Sequence, residues 1–146
     1  MLQDNLKLTG KLHIKVFDEC GKLKDERLID NLVVTTGKVF ICSRMAGTST
    51  AVMSHMAVGS GTNAAVAGDT ALQTEITRVA LTSTTPNTNT ITYVGDYPAG
   101  TGTGTITEAG ILNNSSGGTL LARTVFTAIS KGAADIMSIS WTITAS

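Results

Sequence analysis

The chain has 146 residues, of which 42% are apolar and only 15% are charged, and eleven basic side chains balance eleven acidic ones. This length fits one domain, and the neutral balance excludes a general electrostatic attraction to nucleic acid or to an anionic membrane. The first 38 residues carry seven basic and six acidic groups, whereas the remaining 108 carry four and five. The sequence therefore predicts a charged N-terminal part and a nearly uncharged part rich in Thr, Ser and Gly.

The first elements form a hairpin. In residues 7–17 apolar side chains alternate with Lys and His, which is typical of a half-buried strand. A turn at 18–22 and a second strand at 23–34 complete an antiparallel pair. Three acids of the second strand can neutralise three lysines of the first. These are Asp25, Glu26 and Asp30, and Lys7, Lys11 and Lys15. With aromatic residues at only 4%, we expect no nucleic-acid interface.

Residues 36–46, TGKVFICSRMA, predict the one helix of the chain. Thr36 can cap its N-terminus and Gly47 can supply its C-terminal stop. The expected apolar stripe is formed by Val39, Cys42 and Ala46, with Ile41 and Met45 beside it.

The Thr/Gly-rich core, 53–146, contains the remaining strands. A short buried strand starts at 53 and runs into a glycine turn by 62. Further strands are predicted at 75–84, 90–98, 105–113, 119–128 and 136–145. The turns between them lie at Pro86-Asn87, 99–104, 114–118 and 130–135.

The last strand has the clearest alternation. Its inward side chains are Met137, Ile139, Trp141 and Ile143, and Ser or Thr occupies the positions between them. Burial of each apolar side chain is worth about 1.5–3 kcal/mol, so this strand should be central to stability.

These elements predict an all-β fold in a single domain, 1–146, with the hairpin 7–34 and the short helix 36–46. About seven to eight antiparallel strands would form a β-sandwich, a jelly roll or a small barrel. No apolar run approaches the roughly 18 residues of a membrane span, and MLQDNLKLTG lacks the apolar region of a signal peptide. We therefore expect no membrane contact and synthesis in a cytoplasm.

Candidate catalytic and binding residues are few. His13 lies on the lysine face of its strand, and His55 is expected to be a hydrogen-bonded structural histidine. Cys20 and Cys42 lie far apart without a CxxC pattern, so they predict no metal site, and their pairing stays open. The glycines of residues 58–70 lack the spacing of a phosphate loop and indicate a tight loop with close backbone contacts. We expect no cofactor.

Glu108 is the one carboxylate inside an apolar strand. A general acid would need a second carboxylate across a cleft, and no local pairing indicates one. A buried carboxylate needs a hydrogen-bonded partner, and Arg78 and Arg123 are the only arginines in the strand region. The favoured interpretation is a structural ion pair of Glu108 with one of these arginines, and no enzymatic activity.

Three segments carry a resemblance to a known class of proteins. NLVVTTGK, AVGSGT with GDTALQTE, and ITEAGILN with LLARTVF resemble small structural proteins of tailed bacteriophages. Similar sequences are labelled tail-fibre proteins, and others of this size and β-rich style are capsid cement or decoration proteins. The resemblance covers most of residues 8–144.

The resemblance implies a virion protein on the particle surface, assembled in the host cytoplasm. Because the chain has no heptad, collagen or β-helix repeat, a capsid decoration protein is favoured over a tail, collar or fibre-base component. Its partner would then be the major capsid protein, and a homo-oligomer, a trimer in our hypothesis, would fit a local symmetry axis. The charged hairpin and residues 58–70 are the expected capsid contacts. A carbohydrate-acting enzyme or a carbohydrate-binding module is a remote alternative.

Overall fold

The computed structural model describes residues 6–48 and 51–146. In these residues the chain forms nine strands and one helix. They are β1 (Leu8–Phe17), β2 (Leu23–Val33), α1 (Thr35–Met45), β3 (His55–Gly59), β4 (Glu75–Ala80), β5 (Ser83–Asn87), β6 (Thr90–Tyr97), β7 (Gly104–Leu112), β8 (Leu120–Lys131) and β9 (Ile136–Ala145). The strands form one antiparallel sheet in the order β4-β3-β7-β8-β2-β1-β9-β6-β5, and this sheet curls into a half-barrel.

The predicted β1–β2 hairpin is present, and β1 lies between β2 and β9. Lys11 lies opposite Asp30 and Lys15 lies opposite Glu26, so two of the predicted charge pairs across the hairpin are present. Asp25 lies opposite Val16, on the other face of the hairpin, and pairs with Arg27 instead. The other face of β1 contributes Leu12 and other apolar side chains to the core.

The prediction for β9 is confirmed. This strand pairs with β1 on one side and with β6 on the other. Its four inward side chains, Met137, Ile139, Trp141 and Ile143, are all buried in the core.

The sheet has two arms, which meet at a short contact between β2 and β8. Only Leu32 and Val33 of β2 pair with β8. Farther along, the Arg27 guanidinium donates to the carbonyl oxygens of Thr127 and Ala128 at 3.1 and 3.3 Å. The arginine thus replaces backbone pairing where the two strands separate, and this separation lets the sheet curl.

The core lies inside the curl, between the two arms. Tyr97 on β6 donates its hydroxyl to the carbonyl oxygen of Met56 on β3 at 2.8 Å. Gly95 faces the same methionine, and a Cβ placed there would lie 2.9 Å from its Sδ atom. The two arms are therefore in direct contact through β3 and β6.

The helix is present near the predicted position, but it is capped and oriented differently. Val34 is the N-cap, and the Thr36 hydroxyl donates to the Leu120 carbonyl oxygen instead of capping the helix. Gly47 follows the helix with φ +71°, as the C-terminal stop requires. No helix in the described part of the chain is long and apolar enough to cross a membrane.

The predicted apolar stripe of the helix is wrong. Gly37 and Phe40 are the buried residues of α1, whereas Val39 is 60% exposed and Cys42 and Ala46 are exposed. A Cβ at residue 37 would lie only 2.1 Å from the Leu121 carbonyl oxygen of β8. The close approach that glycine permits decides which face of the helix packs on the sheet.

The segment 75–84 forms two strands rather than one, which raises the count from the expected seven to eight to nine. Pro86 and Asn87, predicted as a turn, lie within β5, and the turn falls at Thr88-Asn89, where Thr88 has φ +53°. β5 is an edge strand, where a proline without an N–H group is tolerated.

Candidate functional site

Glu108 lies in the middle of β7, opposite Gly59 of β3 and Val125 of β8. The register of β7 and β8 shifts between Ile106 and Glu108. The Glu108 side chain has no solvent exposure. A carboxylate in this position must find its hydrogen-bond donors within the protein.

Both Glu108 oxygens are occupied by donors. Oε1 accepts from the backbone N–H groups of Gly61 and Thr74, at 3.0 and 2.7 Å. Oε2 accepts from the backbone N–H of Gln73 at 3.0 Å and from Nε of Arg123 at 2.9 Å. A second guanidinium nitrogen of Arg123, Nη2, lies 2.8 Å from Oε2.

These contacts determine the protonation state of Glu108. Burial acts to raise its pKa, but the N–H groups of Thr74 and Gln73, the Arg123 guanidinium and the N–H of Gly61 together hold the pKa below its ordinary value. A carboxylate that is ionised, fully buried and saturated with donors has no proton to give to a substrate. The arrangement is that of a structural ion pair.

Arg123 is only 2% exposed and extends the network to a second acid. Its Nη1 donates to Oδ2 of Asp69 at 2.9 Å, and Nη2 donates to the carbonyl oxygen of Asn63 at 3.1 Å. The same Asp69 oxygen accepts from the N–H of Val66. Asp69 was missed by sequence reasoning, because it lies in a loop without periodicity.

Arg78, the other candidate partner of Glu108, lies elsewhere. It pairs with Glu75 on its own strand at 2.7 Å, and its Nη1 donates to the carbonyl oxygens of Asn114 and Gly117 at 2.8 Å. Arg78 thus holds the β7–β8 turn, while Arg123 holds Glu108.

The network fixes the base of the loop 60–74. A Cβ at Gly59 or Gly61 would lie 2.6 Å from Oε1 of Glu108, so the backbone can reach the carboxylate only because both residues are glycine. The expectation of a tight loop with close backbone contacts in 58–70 is confirmed. Beyond this base, the loop is largely exposed between Thr62 and Gly68.

The histidines and cysteines do not join this network. His13 is within 2.9 Å of Glu26, and Nδ1 of His55 is within 2.8 Å of the Ser54 hydroxyl. Cys20 and Cys42 are free and exposed. Within residues 6–48 and 51–146 there is no group of three or more His, Cys, Asp or Glu side chains placed to hold a metal ion.

A second buried charge, Lys131, was also missed by the sequence analysis. Its Nζ donates to the carbonyl oxygens of Asp135 and Pro98 at 2.7 and 3.1 Å. Burial lowers the pKa of Lys131, and the charge of Asp135 opposes this shift. The Asp135 side chain accepts from Lys24 and from the N–H of Gly132, and these contacts lower its pKa. This cluster closes the β8–β9 turn and joins it to β2.

The outer face of the larger arm is a different kind of surface, because many of its side chains carry hydroxyl groups. The registers of β2, β1, β9, β6 and β5 align their outward side chains in cross-strand rows. One row is Asp30, Lys11, Thr142, Thr92 and Thr85; the next is Leu28, His13, Ser140, Val94 and Ser83; a third is Thr9, Thr144, Thr90 and Asn87. The hydroxyls of Thr92 and Thr142 are 3.0 Å apart.

This outer face is more charged at one side than at the other. Its lysines and most of its carboxylates lie on β2 and β1, whereas β9 presents Ser and Thr. The outward residues of β6 are Thr90, Thr92, Val94 and, in a fourth row with Glu26, Lys15 and Ser138, the carboxylate Asp96. Such a surface offers many short, neutral hydrogen-bonding groups that cost little conformational entropy to bury.

No protein-family model, no curated protein and no solved structure matches the chain. The functional conclusion therefore depends on the residues themselves.

Proposed function

We propose that this protein is a structural component of a tailed-bacteriophage particle and that it acts as a capsid decoration, or cement, protein bound to the outer head lattice. The observation that carries the proposal is the outer face of β1, β9, β6 and β5, with its rows of hydroxyl groups on a continuous sheet. The resemblance of NLVVTTGK, AVGSGT and ITEAGILN to small phage structural proteins supports it.

A cement protein must keep its shape while it bridges neighbouring subunits. The two arms of the sheet enclose one core, and we propose that they act as the two layers of a small β-sandwich. The bond from Tyr97 to Met56 joins these layers from within, and the buried pair of Glu108 and Arg123 joins β7 to β8 inside one of them. We propose no enzymatic activity, because the most deeply buried carboxylate already has all its oxygens bound to donors.

Two segments are proposed as further contacts with the major capsid protein. The charged hairpin 7–34 presents opposed basic and acidic rows, which can orient a partner. The loop 58–70 is fixed at its base by Glu108 and exposes small residues at its tip. A fixed loop loses little conformational entropy on docking.

The test of location is copy number in purified particles. We expect hundreds of copies per particle, spread over the head, by quantitative mass spectrometry and by cryo-electron microscopy of particles with the protein labelled. We also expect heads that lack the protein to open at lower temperature than heads that carry it. A few to some tens of copies at one vertex would instead establish the alternative, a tail, collar or fibre-base component.

The role of the outer face is tested by placing a charge in its centre. Thr142→Arg should prevent retention on heads, because a long cation replaces a half-buried hydroxyl in the contact surface. Ser115→Arg, in the exposed β7–β8 turn, is the matched control and should be retained. Equal retention of the two variants, with unchanged unfolding of both, would remove this face from the proposal.

A homotrimer is the proposed oligomer, since decoration at a local three-fold axis needs matching symmetry. Sedimentation equilibrium should give three times the chain mass at concentrations found in the particle. A monomer in solution combined with no contact between copies on the head would contradict the trimer.

A further inference from the structure

The sheet covers only part of the apolar surface of the helix α1. Gly37 and Phe40 are buried against β8. A second set of residues at helical spacing, Lys38, Ile41, Cys42 and Met45, lies beside this face; Ile41 packs against the edge of the core, and the other three are exposed. Met45 is 81% exposed. An apolar helix face of this kind normally packs against another element.

This second face forms one wall of an open groove of about 460 Å³. The other walls come from the start of β1 and the end of β2. The apolar side chains that line it are Leu6, Leu8, Leu32, Val33, Ile41 and Met45. Leu6 is 71% exposed and Leu32 is 37% exposed, so the groove leaves large apolar side chains in contact with solvent.

The groove continues into a second one of about 310 Å³. Leu8 and Ile41 line both grooves, so the two grooves adjoin at these side chains. The second groove is lined mainly by Phe40, Ile91, Tyr93, Leu121 and Ile143. Together the two grooves make a continuous apolar surface at one end of the half-barrel, which we name the α1 groove.

The charged side chains that line the α1 groove are both basic. Lys7 and Lys38 are exposed and line it, together with the neutral polar residues Thr9 and Asn31. No Asp or Glu side chain of the described residues lines either part. An apolar channel with a basic rim is complementary to a segment that combines apolar anchors with carboxylates.

We infer that the α1 groove binds an amphipathic segment of another protein, whose apolar side chains enter the groove and whose acidic side chains meet Lys7 and Lys38. The assignment of that protein to the phage particle rests on the proposed function. The groove and its two lysines rest on the geometry alone. In the particle, this protein would then be held at two places: its outer face would contact the head lattice, and its α1 groove would bind a flexible segment of a neighbouring protein.

The groove is tested first in solution with a designed peptide. The probe is a fluorescent helical peptide with leucines at i, i+3, i+4 and i+7 and glutamates on the flanking positions; the comparison peptide has lysines in their place. Fluorescence anisotropy should show saturable binding of the Glu peptide. The Lys peptide should bind at least about fivefold more weakly, because it meets Lys7 and Lys38. Equal binding of the two peptides, or no binding, overturns the inference.

Matched variants locate the binding on the protein. Met45→Ser should weaken the Glu peptide by about tenfold, as expected for truncation of an anchor contact. Val39→Ser changes an exposed apolar residue of the same helix that does not line the groove, and should bind as the wild type does. Equal effects of these variants, or peptide binding that starts only after residues 1–5 are deleted, would contradict the inference.

The two free thiols allow a test in the particle. Cys42 lines the groove, whereas Cys20 lies in the β1–β2 turn at the far end of the hairpin. A benzophenone attached to Cys42 in the Cys20→Ser variant should crosslink to an acidic, apolar segment of a different particle protein. The same label on Cys20 in the Cys42→Ser variant should not reach that segment. Crosslinks from Cys42 to a second copy of this chain would overturn the inference.

The solution and particle tests separate the two proposals. If the Glu peptide binds and Met45→Ser weakens it while the protein is absent from phage particles, the groove is established and the proposed function fails. If the protein decorates heads but the peptide does not bind, the proposed function holds and the groove inference fails.

Discussion

The indole N–H of Trp141 donates to Oδ1 of Asn31 at 2.9 Å, although these residues lie on strands that do not pair with each other. Their strands, β9 and β2, lie on opposite sides of β1. Gly10 of β1 lies directly opposite Asn31, and the Asn31 amide occupies the space where a side chain would be. The bond across β1 therefore depends on a glycine at residue 10.

Substitution of Gly10 by Ala should destabilise the protein. The new Cβ would lie 1.7 Å from Oδ1 of Asn31, so the amide must move and the Trp141 bond must break. Overpacking of this kind costs about 1–3 kcal/mol. Urea unfolding followed by Trp141 fluorescence measures the loss. Gly68→Ala, where nothing lies within 4 Å of the new Cβ, should change stability by less than about 0.5 kcal/mol.

Glu108→Gln should be among the most damaging conservative substitutions in the chain. The glutamine keeps the shape but leaves the buried Arg123 with one carboxylate partner, Asp69, in place of two. Removal of one partner from a buried ion pair costs about 3–5 kcal/mol. Glu26→Gln is the matched control, because Glu26 and its partner His13 are both partly exposed. This variant should lose less than about 1 kcal/mol of unfolding free energy. Equal unfolding midpoints for the two variants would contradict a structural role for Glu108.

The strand positions were predictable where one face of a strand meets water and the other meets the core. The alternation in β1 and β9 identified which side chains are buried, because period two directly reports a two-sided environment. The pattern also marked Glu108 as a residue that needs a partner, since a charge inside an apolar strand is costly without one.

Three features depend on tertiary contacts and were not predictable from the sequence: the packed face of the helix, the partner of Glu108 and the turn after β5. The helix packs through Gly37 and Phe40 because glycine lets the helix backbone approach Leu121. A prediction from the spacing of apolar residues does not detect a packed face that contains glycine. The selection of Arg123 over Arg78 follows from strand order, which alternation does not encode. Pro86 suggested a turn, but a free sheet edge also accepts proline.

Stability should fall in acid, and Glu108 should account for much of the fall. Its ordinary pKa of 4.5 is lowered in the folded protein, so the unfolded chain binds more protons between the two values. The stabilisation that ionised Glu108 contributes is fully present above its ordinary pKa of 4.5. It is lost as the pH falls through the lower pKa that Glu108 has in the folded protein. The lowered pKa of Asp135 acts in the same direction at lower pH.

This acid dependence is measured by urea unfolding at a series of pH values from neutral down to strongly acidic. The free energy of unfolding of the wild type should decline below the ordinary pKa of Glu108. The Glu108→Gln variant should start lower and decline less steeply. Parallel curves for the two proteins would show that the carboxylate does not titrate between the folded and unfolded states as its contacts require.

Tyr97→Phe tests the contact between the two arms of the sheet. The variant keeps the buried ring and removes only the hydroxyl that donates to the Met56 carbonyl oxygen at 2.8 Å. Loss of this buried hydrogen bond should cost about 0.5–1.5 kcal/mol. Hydrogen exchange should rise at the amides of β3 and β6, where the arms meet. Tyr93→Phe is the control, because the Tyr93 ring is also buried on β6 but makes no such bond to β3, and it should leave exchange in β3 unchanged. Equal exchange in the two variants would show that the arms are held by apolar packing alone.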